Sequence, residues 1–297
     1  MRNISLDKFI GQTNVVNTLK VLAKSAKMRS VSMPHIMLYG ASGCGKTQLA
    51  MSLAKYYGCN IQIVNAASIK NINDLARFIF KLNEDDILFI DEIHRLSKKT
   101  QEALFHVLED FRLDIPNKET VESYKLDPFT CIAATTDFGL LLKPLRDRFQ
   151  QKLELQTYND SDMLEIAKLY VAQNQMKITN GGAEIVIKAS RGTPRICKSN
   201  IEWVRDYCLV NRVDIATREI VAAALAIQGY DEHGMCEMDR RYIDFLKASN
   251  GPVGLETIAL AINIDTSTIS NVIEPWLILN KIIVKGPKGR YLLKKSA

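Results

Sequence analysis

The octapeptide Gly40-Ala41-Ser42-Gly43-Cys44-Gly45-Lys46-Thr47 sets three glycines ahead of a lysine and a hydroxyl. Glycines at that spacing let backbone N–H groups turn toward one anion, and a helix starting at the lysine adds the partial positive charge of its N-terminus. Lys46 is then placed to contact β- and γ-phosphates and Thr47 to reach Mg²⁺, with Gln48 in the same turn. The bland alternative is a glycine-rich turn without a ligand. The apolar run HIMLYG before the octapeptide and the helical pattern QLAMSLAKYY after it are the strand and helix that favour an ATP-binding loop instead.

A second set of oxygen ligands lies downstream, where Ile87-Leu88-Phe89-Ile90 ends in Asp91 and Glu92. Alone, an acidic pair after an apolar run is more often a solvated loop start. Beside a phosphate loop it divides two tasks: Asp91 holds the metal with Thr47, and Glu92 orients or deprotonates the attacking water. The run FTCIAATT ends in Thr135 and Thr136, hydroxyls that either sense a γ-phosphate or cap the next turn. Arg146-Asp147-Arg148 follows Pro144 just before the last strand. Its guanidiniums form surface ion pairs or face a neighbouring subunit's site, where an arginine on a γ-phosphate is worth ~10³–10⁵ in rate. Arg195 follows the helix-start signal Gly192-Thr193-Pro194, at an end favourable for anions, which makes it a candidate second phosphate contact.

Holding these groups requires a sheet. Between His35 and about Leu155 the runs HIMLYG, IQIVN, DILFID, FTCIAATT and KLELQ alternate with helical spacing, the rhythm of a parallel sheet covered on both faces. Val15, Leu19, Leu22 and Ala26 predict a leading helix. From Asn159 to about Gln228 the spacing is helical only, with helices expected over 160–174, 182–190, 194–211 and 217–228. Gly229-Tyr230 and the polar residues through Glu237 read as a linker. Beyond it Leu255, Ile258, Ala259 and Ile262 share a helix face, Thr266 to Leu277 forms the next helix with Pro275 at its end or kink, and KIIVKGPKGRYLL forms a strand pair.

Charge and composition narrow the partners. Lys281, Lys285, Lys288, Arg290, Lys294 and Lys295 crowd a tail without acids, pointing to a polyanion. No apolar run approaches the ~18 residues of a bilayer span, and Met1 to Phe9 lacks the basic start and apolar stretch of an export signal, so a cytoplasmic protein is expected. Six scattered cysteines without a C-x-x-C pair disfavour both zinc and disulfides.

The segments GASGCGKT, LFIDEIHRL, LEDFRLDI, PFTCIAATT, PLRDRF, SRGTPRI, GPVGLETIA, EPWLI and GPKGR occur in the order seen in RuvB-type proteins. The chain resembles that family from about Arg2 to Arg290. The resemblance implies an α/β P-loop AAA+ domain with a five-stranded parallel sheet over 1–158, an all-α lid over 159–230 and a winged-helix DNA-binding domain over 231–297. It implies an ATP- and Mg²⁺-dependent ring motor, typically a hexamer, that grips a duplex arm of a four-way junction and drives branch migration beside a RuvA-type partner. Lys46, Thr47, Asp91 and Glu92 resemble the hydrolysis core, Thr136 or Thr135 the first sensor, Arg148 the finger given in trans, and Arg195 the second sensor. Arg2, Ile10, Tyr158 and Glu109-Asp110-Phe111 stand where the family frames the nucleotide, and Lys285, Lys288 and Arg290 match its DNA-contacting wing. Ala41-Ser42 replaces the family's two prolines, and Ile115 to Tyr124, which resembles the partner-docking hairpin, is short and lacks the usual glycines. Two rival readings are a clamp-loader subunit, which would end in a helical collar, and an ATP-gated winged-helix regulator, which would tolerate loss of Glu92.

Overall fold

The computed structural model describes residues 4–116 and 121–293. Arg2, Lys294, Lys295 and the middle of the 115–124 segment lie outside the described residues. The chain divides into two compact units, Met1–Asp162 and Met163–Ala297.

In the first unit the elements run α1 (Thr13–Arg29), β1 (Ile36–Gly40), α2 (Lys46–Tyr57), β2 (Ile61–Asn65), α3 (Ile72–Ile79), β3 (Ile87–Asp91) and α4 (Lys98–Asp110). They continue through a hairpin of β4 (Arg112–Pro116) and β5 (Val121–Lys125), then β6 (Thr130–Thr135), α5 (Lys143–Asp147) and β7 (Gln151–Leu155). The main sheet has the order β2-β3-β6-β1-β7, and every pairing in it is parallel. Alternate residues of its central strands enter opposite cores. Met37, Leu88, Ile90, Cys131 and Ala133 pack with Leu75 of α3 and Leu104 and Val107 of α4. Ile36, Leu38, Phe89, Ile132 and Ala134 pack with Leu19 of α1 and Leu49 and Leu53 of α2. Period-two alternation inside uniformly apolar runs is what a sheet covered on both faces demands. All strands point the same way, so the loops after β1, β3 and β6 gather at one end, where β1 lies between strands reached in opposite directions.

The two-stranded β4–β5 hairpin stands apart from this sheet, and its Tyr124 ring meets Phe80 edge-on at 5.2 Å. Helix α6 (Asp160–Gln173) crosses the division between the units.

The second unit holds α7 (Asn180–Ser190), α8 (Pro194–Val210) and α9 (Arg218–Ile227). Thr179 and Thr217 cap α7 and α9 by accepting from the N–H groups of Gly182 and Ile220, which otherwise lack partners. After them come α10 (Glu237–Ala248), α11 (Leu255–Ile262), α12 (Thr266–Thr268), a widened turn over Ile269–Ile273, α13 (Glu274–Leu279), β8 (Ile283–Gly286) and β9 (Gly289–Leu292). Tyr242, Ile258, Ile262, Ile269, Ile273, Leu277 and Ile283 close a separate core. Pro275 does not end its helix, which runs on to Leu279. The turn ahead of it is wide instead, the usual way to separate a proline ring from the carbonyl four residues back. The antiparallel β8–β9 pair stands where a clamp-loader reading requires a helical collar.

Candidate nucleotide site and DNA-binding surface

The phosphate loop joins β1 to α2 at the strand ends. Gly40 has φ +141, and a Cβ there would lie 2.2 Å from the Leu155 carbonyl oxygen of the adjoining β7, so only glycine lets the strands close at this point. Gly43 (φ 82) and Gly45 (φ 95) turn the loop onward into α2. Lys46 is buried, and its Nζ donates to the carbonyls of Gly40 at 2.8 Å and Ala41 at 3.1 Å, lying across the loop it serves. Gln48 follows in the first turn of α2.

Asp91 ends β3 opposite the loop. Its Oδ2 lies 3.5 Å from the Thr47 hydroxyl, and its Oδ1 accepts from the Glu92 N–H at 3.1 Å. Thr47 and Asp91 are hard oxygen donors, the set Mg²⁺ prefers, and they stand beside the glycine cradle. Glu92 leaves the strand in the left-handed region (φ 52), which directs its carboxylate toward β6. There it accepts from the Thr136 hydroxyl at 3.0 Å and approaches His94 Nδ1 at 3.3 Å. The pleat separates the two threonines. Thr135 is fully buried and its hydroxyl meets His94 Nδ1 at 2.9 Å and the Asp137 N–H at 3.0 Å, while exposed Thr136 is the one presented to Glu92. His94 was not singled out from the sequence; its place in the DEIHRL motif was the available signal.

The N-terminal segment closes one side of the loop. Gln12 Nε2 donates to the Gln156 carbonyl at 2.7 Å, and the Gln156 N–H returns to Gln12 Oε1 at 3.2 Å. Tyr158, whose ring lies against Gly11, donates from its hydroxyl to the Cys44 carbonyl at 3.3 Å. Ile10, next to Gly11 in this segment, is half-buried.

Four other candidates sit elsewhere. Arg148 precedes β7 and pairs with Glu109 at the end of α4, with its guanidinium carbon 5.1 Å from the Phe105 ring centre. Phe111 ends α4 and packs at 5.9 Å from the His35 ring and 5.7 Å from Phe129. His35 precedes β1 and Phe129 precedes β6, so this cluster marks the starts of the strands, whereas the phosphate loop and Asp91 lie at their ends. Glu109, Asp110, Phe111 and Arg148 therefore do not frame the nucleotide of their own chain: a five-residue strand keeps the two ends ~16 Å apart.

In the second unit Arg195 is exposed in the first turn of α8. On the wing Lys285 and Lys288 are exposed, but Arg290 is not. Its Nε donates to Glu274 Oε1 at 2.7 Å and its Nη2 to Oε2 at 3.3 Å, and the Tyr242 hydroxyl donates to the same carboxylate at 3.0 Å. Burial and then the Glu274 charge push the Tyr242 hydroxyl pKa up. The expectation that Arg290 contacts DNA is corrected: its charge is neutralised inside the domain.

A parallel sheet with a glycine-cradled lysine, an acidic pair at the neighbouring strand end, an all-α lid and a winged helix define an AAA+ P-loop ATPase. Comparison with known proteins narrows this further. The family profile described as "Holliday junction DNA helicase RuvB P-loop domain" matches residues 1–155, "RuvB AAA lid domain" residues 158–231, and "RuvB C-terminal winged helix domain" residues 232–297. The chain is 38% identical to the Holliday junction branch migration complex subunit RuvB of Campylobacter fetus over 301 residues, 100% of this chain and 88% of the relative. With the same subunit of Ehrlichia ruminantium the identity is 39%, covering 100% and 91%. Among solved structures, the Thermotoga maritima RuvB Holliday junction branch migration motor superposes with a TM-score of 0.84 at 36% identity, covering 99% of this chain and 96% of that one. The chain belongs to the RuvB family.

Proposed function

We propose that this chain is a cytoplasmic, ATP-hydrolysing DNA motor subunit that drives branch migration of four-way junctions in recombination and repair, working in a ring of copies, six by family resemblance. One observation carries the hydrolytic half: Thr47, Asp91, Glu92 and Thr136 converge from three consecutive strand ends on the phosphate loop. The Gly40–Gly45 backbone and Lys46 hold the phosphates, and Thr47 and Asp91 hold Mg²⁺. Bound there, Mg²⁺ would supply neutralisation of the charge that develops as the γ-phosphoryl leaves. Glu92 positions the attacking water and receives its proton. Thr136, already hydrogen-bonded to that carboxylate, links the state of Glu92 to the phosphate it faces. Arg148 lies too far from its own loop to act there, which supports service to a neighbouring copy's γ-phosphate, with Glu109–Phe111 at the same boundary. Arg195 supplies the second phosphate contact.

The DNA half rests on Lys285 and Lys288, which project from the wing and contact phosphates without reading sequence. A RuvA-type partner is part of this reading, docked at the β4–β5 hairpin. The test is migration of a synthetic four-way junction with ATP, with and without a junction-binding partner. Lys46→Ala abolishes both ATP turnover and migration. Unchanged turnover in that variant removes the proposed site, and turnover without migration under any condition removes the motor.

A further inference from the structure

Arg191 and Arg195 stand four residues apart and face different tasks. Arg195 opens α8, while Arg191 ends α7 in the left-handed region (φ 52) and sends its guanidinium into the C-terminal domain. There it pairs with Asp239, with Nη1 3.4 Å from Oδ1 and Nη2 against Oδ2. Nη2 also donates to the Gly234 carbonyl at 3.1 Å, and the guanidinium carbon lies 4.7 Å from the centre of the Trp276 ring and 5.9 Å from that of Tyr230. The Asp239 side chain is fully buried and that of Arg191 is 9% exposed. Burial opposes the charge on Arg191, but Asp239 more than offsets it and holds the guanidinium pKa above its ordinary value.

The stretch read from sequence as a linker is fastened at the same point. Asp239 Oδ2 accepts from the Cys236 N–H at 2.7 Å, so one carboxylate caps α10 and grips Arg191. Asp231 accepts from the N–H groups of His233 and Met235, both at 2.9 Å, and Arg240 donates to the carbonyls of Gly229 at 2.9 Å and Met235 at 3.0 Å. Gly234 presses on the end of α7, where an added Cβ would lie 2.4 Å from the Lys188 carbonyl oxygen. One guanidinium thus joins the end of α7, the 229–236 connection, the start of α10 and the Trp276 face of α13. A buried ion pair is a weak source of net stability compared with apolar packing. What it adds is direction, since the planar fork of an arginine fixes both partner and orientation.

We propose that Arg191 is a positioning residue that makes the lid and the winged-helix domain one lever, so that displacement of the 191–195 loop on phosphate contact is delivered to the DNA-holding wing. The proposal rests on the reading of Arg195 given above, and it assigns the connection 229–236 the role of a rigid joint.

Two measurements test it. In the wild-type protein, amide exchange at Gly234, Met235 and Cys236 is followed without nucleotide, with ADP and with a non-hydrolysable ATP analogue. A rigid joint keeps their protection within about twofold in all three states, and a loss of about tenfold in any one overturns the lever. The second uses Arg191→Met with Asp239→Asn, which removes both charges while keeping the stem over Trp276 and an oxygen to cap α10. ATP hydrolysis without DNA and duplex affinity stay within about twofold of wild type, and migration per ATP hydrolysed falls about tenfold or more. Migration per ATP equal to wild type overturns the proposal. Where the double variant does not fold, the wild-type exchange result decides. An Arg195→Ala protein that hydrolyses ATP like wild type faults the phosphate contact instead, while the exchange measurement still reports on the joint.

Discussion

Acidification tests the packing of the strand starts through one residue. His35 is buried just before β1 with both ring nitrogens engaged: Nε2 meets the Leu108 carbonyl at 3.2 Å, and Nδ1 lies 3.0 Å from the Cys131 N–H. That pairing assigns the neutral ring with its proton on Nε2, because Nδ1 must accept. Burial lowers its pKa from 6.5 to about 4; the Leu108 carbonyl opposes this and the Arg148 charge adds to it. With the folded pKa below the unfolded one, the stabilisation is complete above the unfolded value. It is lost as pH falls from 6.5 toward 4, where the unfolded chain takes up a proton that the folded form refuses. The loss is ~2 kcal/mol by about pH 5 and approaches ~3 kcal/mol at lower pH. Denaturant unfolding of the wild type and of His35→Gln, each at about pH 7.5 and about pH 5, isolates this contribution, since the variant cannot titrate at that position. The wild type loses ~2 kcal/mol more than the variant between the two conditions. Equal losses refute the assignment. A smaller effect with direct protonation of His35 near pH 6.5 would show that the ring is not sealed between α4 and β6.

Other perturbations separate the parts of the proposed machine. Glu92→Gln retains ATP binding but lowers turnover by about 10² or more, measured by nucleotide affinity beside single-turnover hydrolysis; equal loss of both makes Glu92 structural. Arg148→Ala and Lys46→Ala proteins, each inactive alone, regain ATPase activity when mixed, because an Arg148→Ala copy keeps its own phosphate loop and takes the arginine of a Lys46→Ala neighbour, and absence of any recovery counts against a shared site. Glu274→Ala leaves Arg290 buried without its carboxylate and costs ~3–5 kcal/mol of winged-helix stability in thermal unfolding; a change within ~0.5 kcal/mol places the pair at the surface. Lys285→Ala with Lys288→Ala flattens the salt dependence of duplex binding by ~1.8 in log–log slope per subunit, and an unchanged slope moves the DNA contact elsewhere.

The phosphate loop, the acidic pair and the five strands of the main sheet were legible because each rests on local chemistry: glycine spacing, an apolar run, a terminal carboxylate. What escaped depended on partners distant in sequence. Arg290 reads as one more tail cation until β9 is placed against α13, where Glu274 waits sixteen residues upstream. Thr135 and Thr136 were equivalent as letters, and only the register of β6 against β3 turns one hydroxyl inward and the other toward Glu92. The 229–237 stretch looked like a linker because its residues are polar, yet Asp231, Asp239 and Arg240 direct that polarity inward as hydrogen bonds. Pro275 reads from sequence as a helix end or a kink, and the widened turn ahead of it lets the helix run on to Leu279 instead of ending.

The separation between Arg148 and the phosphate loop bears most on mechanism. Both sites are fixed by the same sheet: Lys46 follows the end of β1 and Asp91 is the last residue of β3, while Arg148 precedes β7, which pairs in parallel with β1 from Gln151 opposite Ile36 to Leu155 opposite Gly40. No rotation of an arginine side chain spans the length of a strand, and bending a close-packed sheet to bring its ends together would break both cores. A γ-phosphate can therefore meet this guanidinium only when a second molecule presents its own strand starts to the first molecule's strand ends. Such head-to-tail contact repeats until it closes into a ring or runs on as a filament. Under the proposed function, the geometry of one sheet makes hydrolysis a property of the assembly, and the Glu109 carboxylate that now pairs with Arg148 is the partner an incoming phosphate must displace.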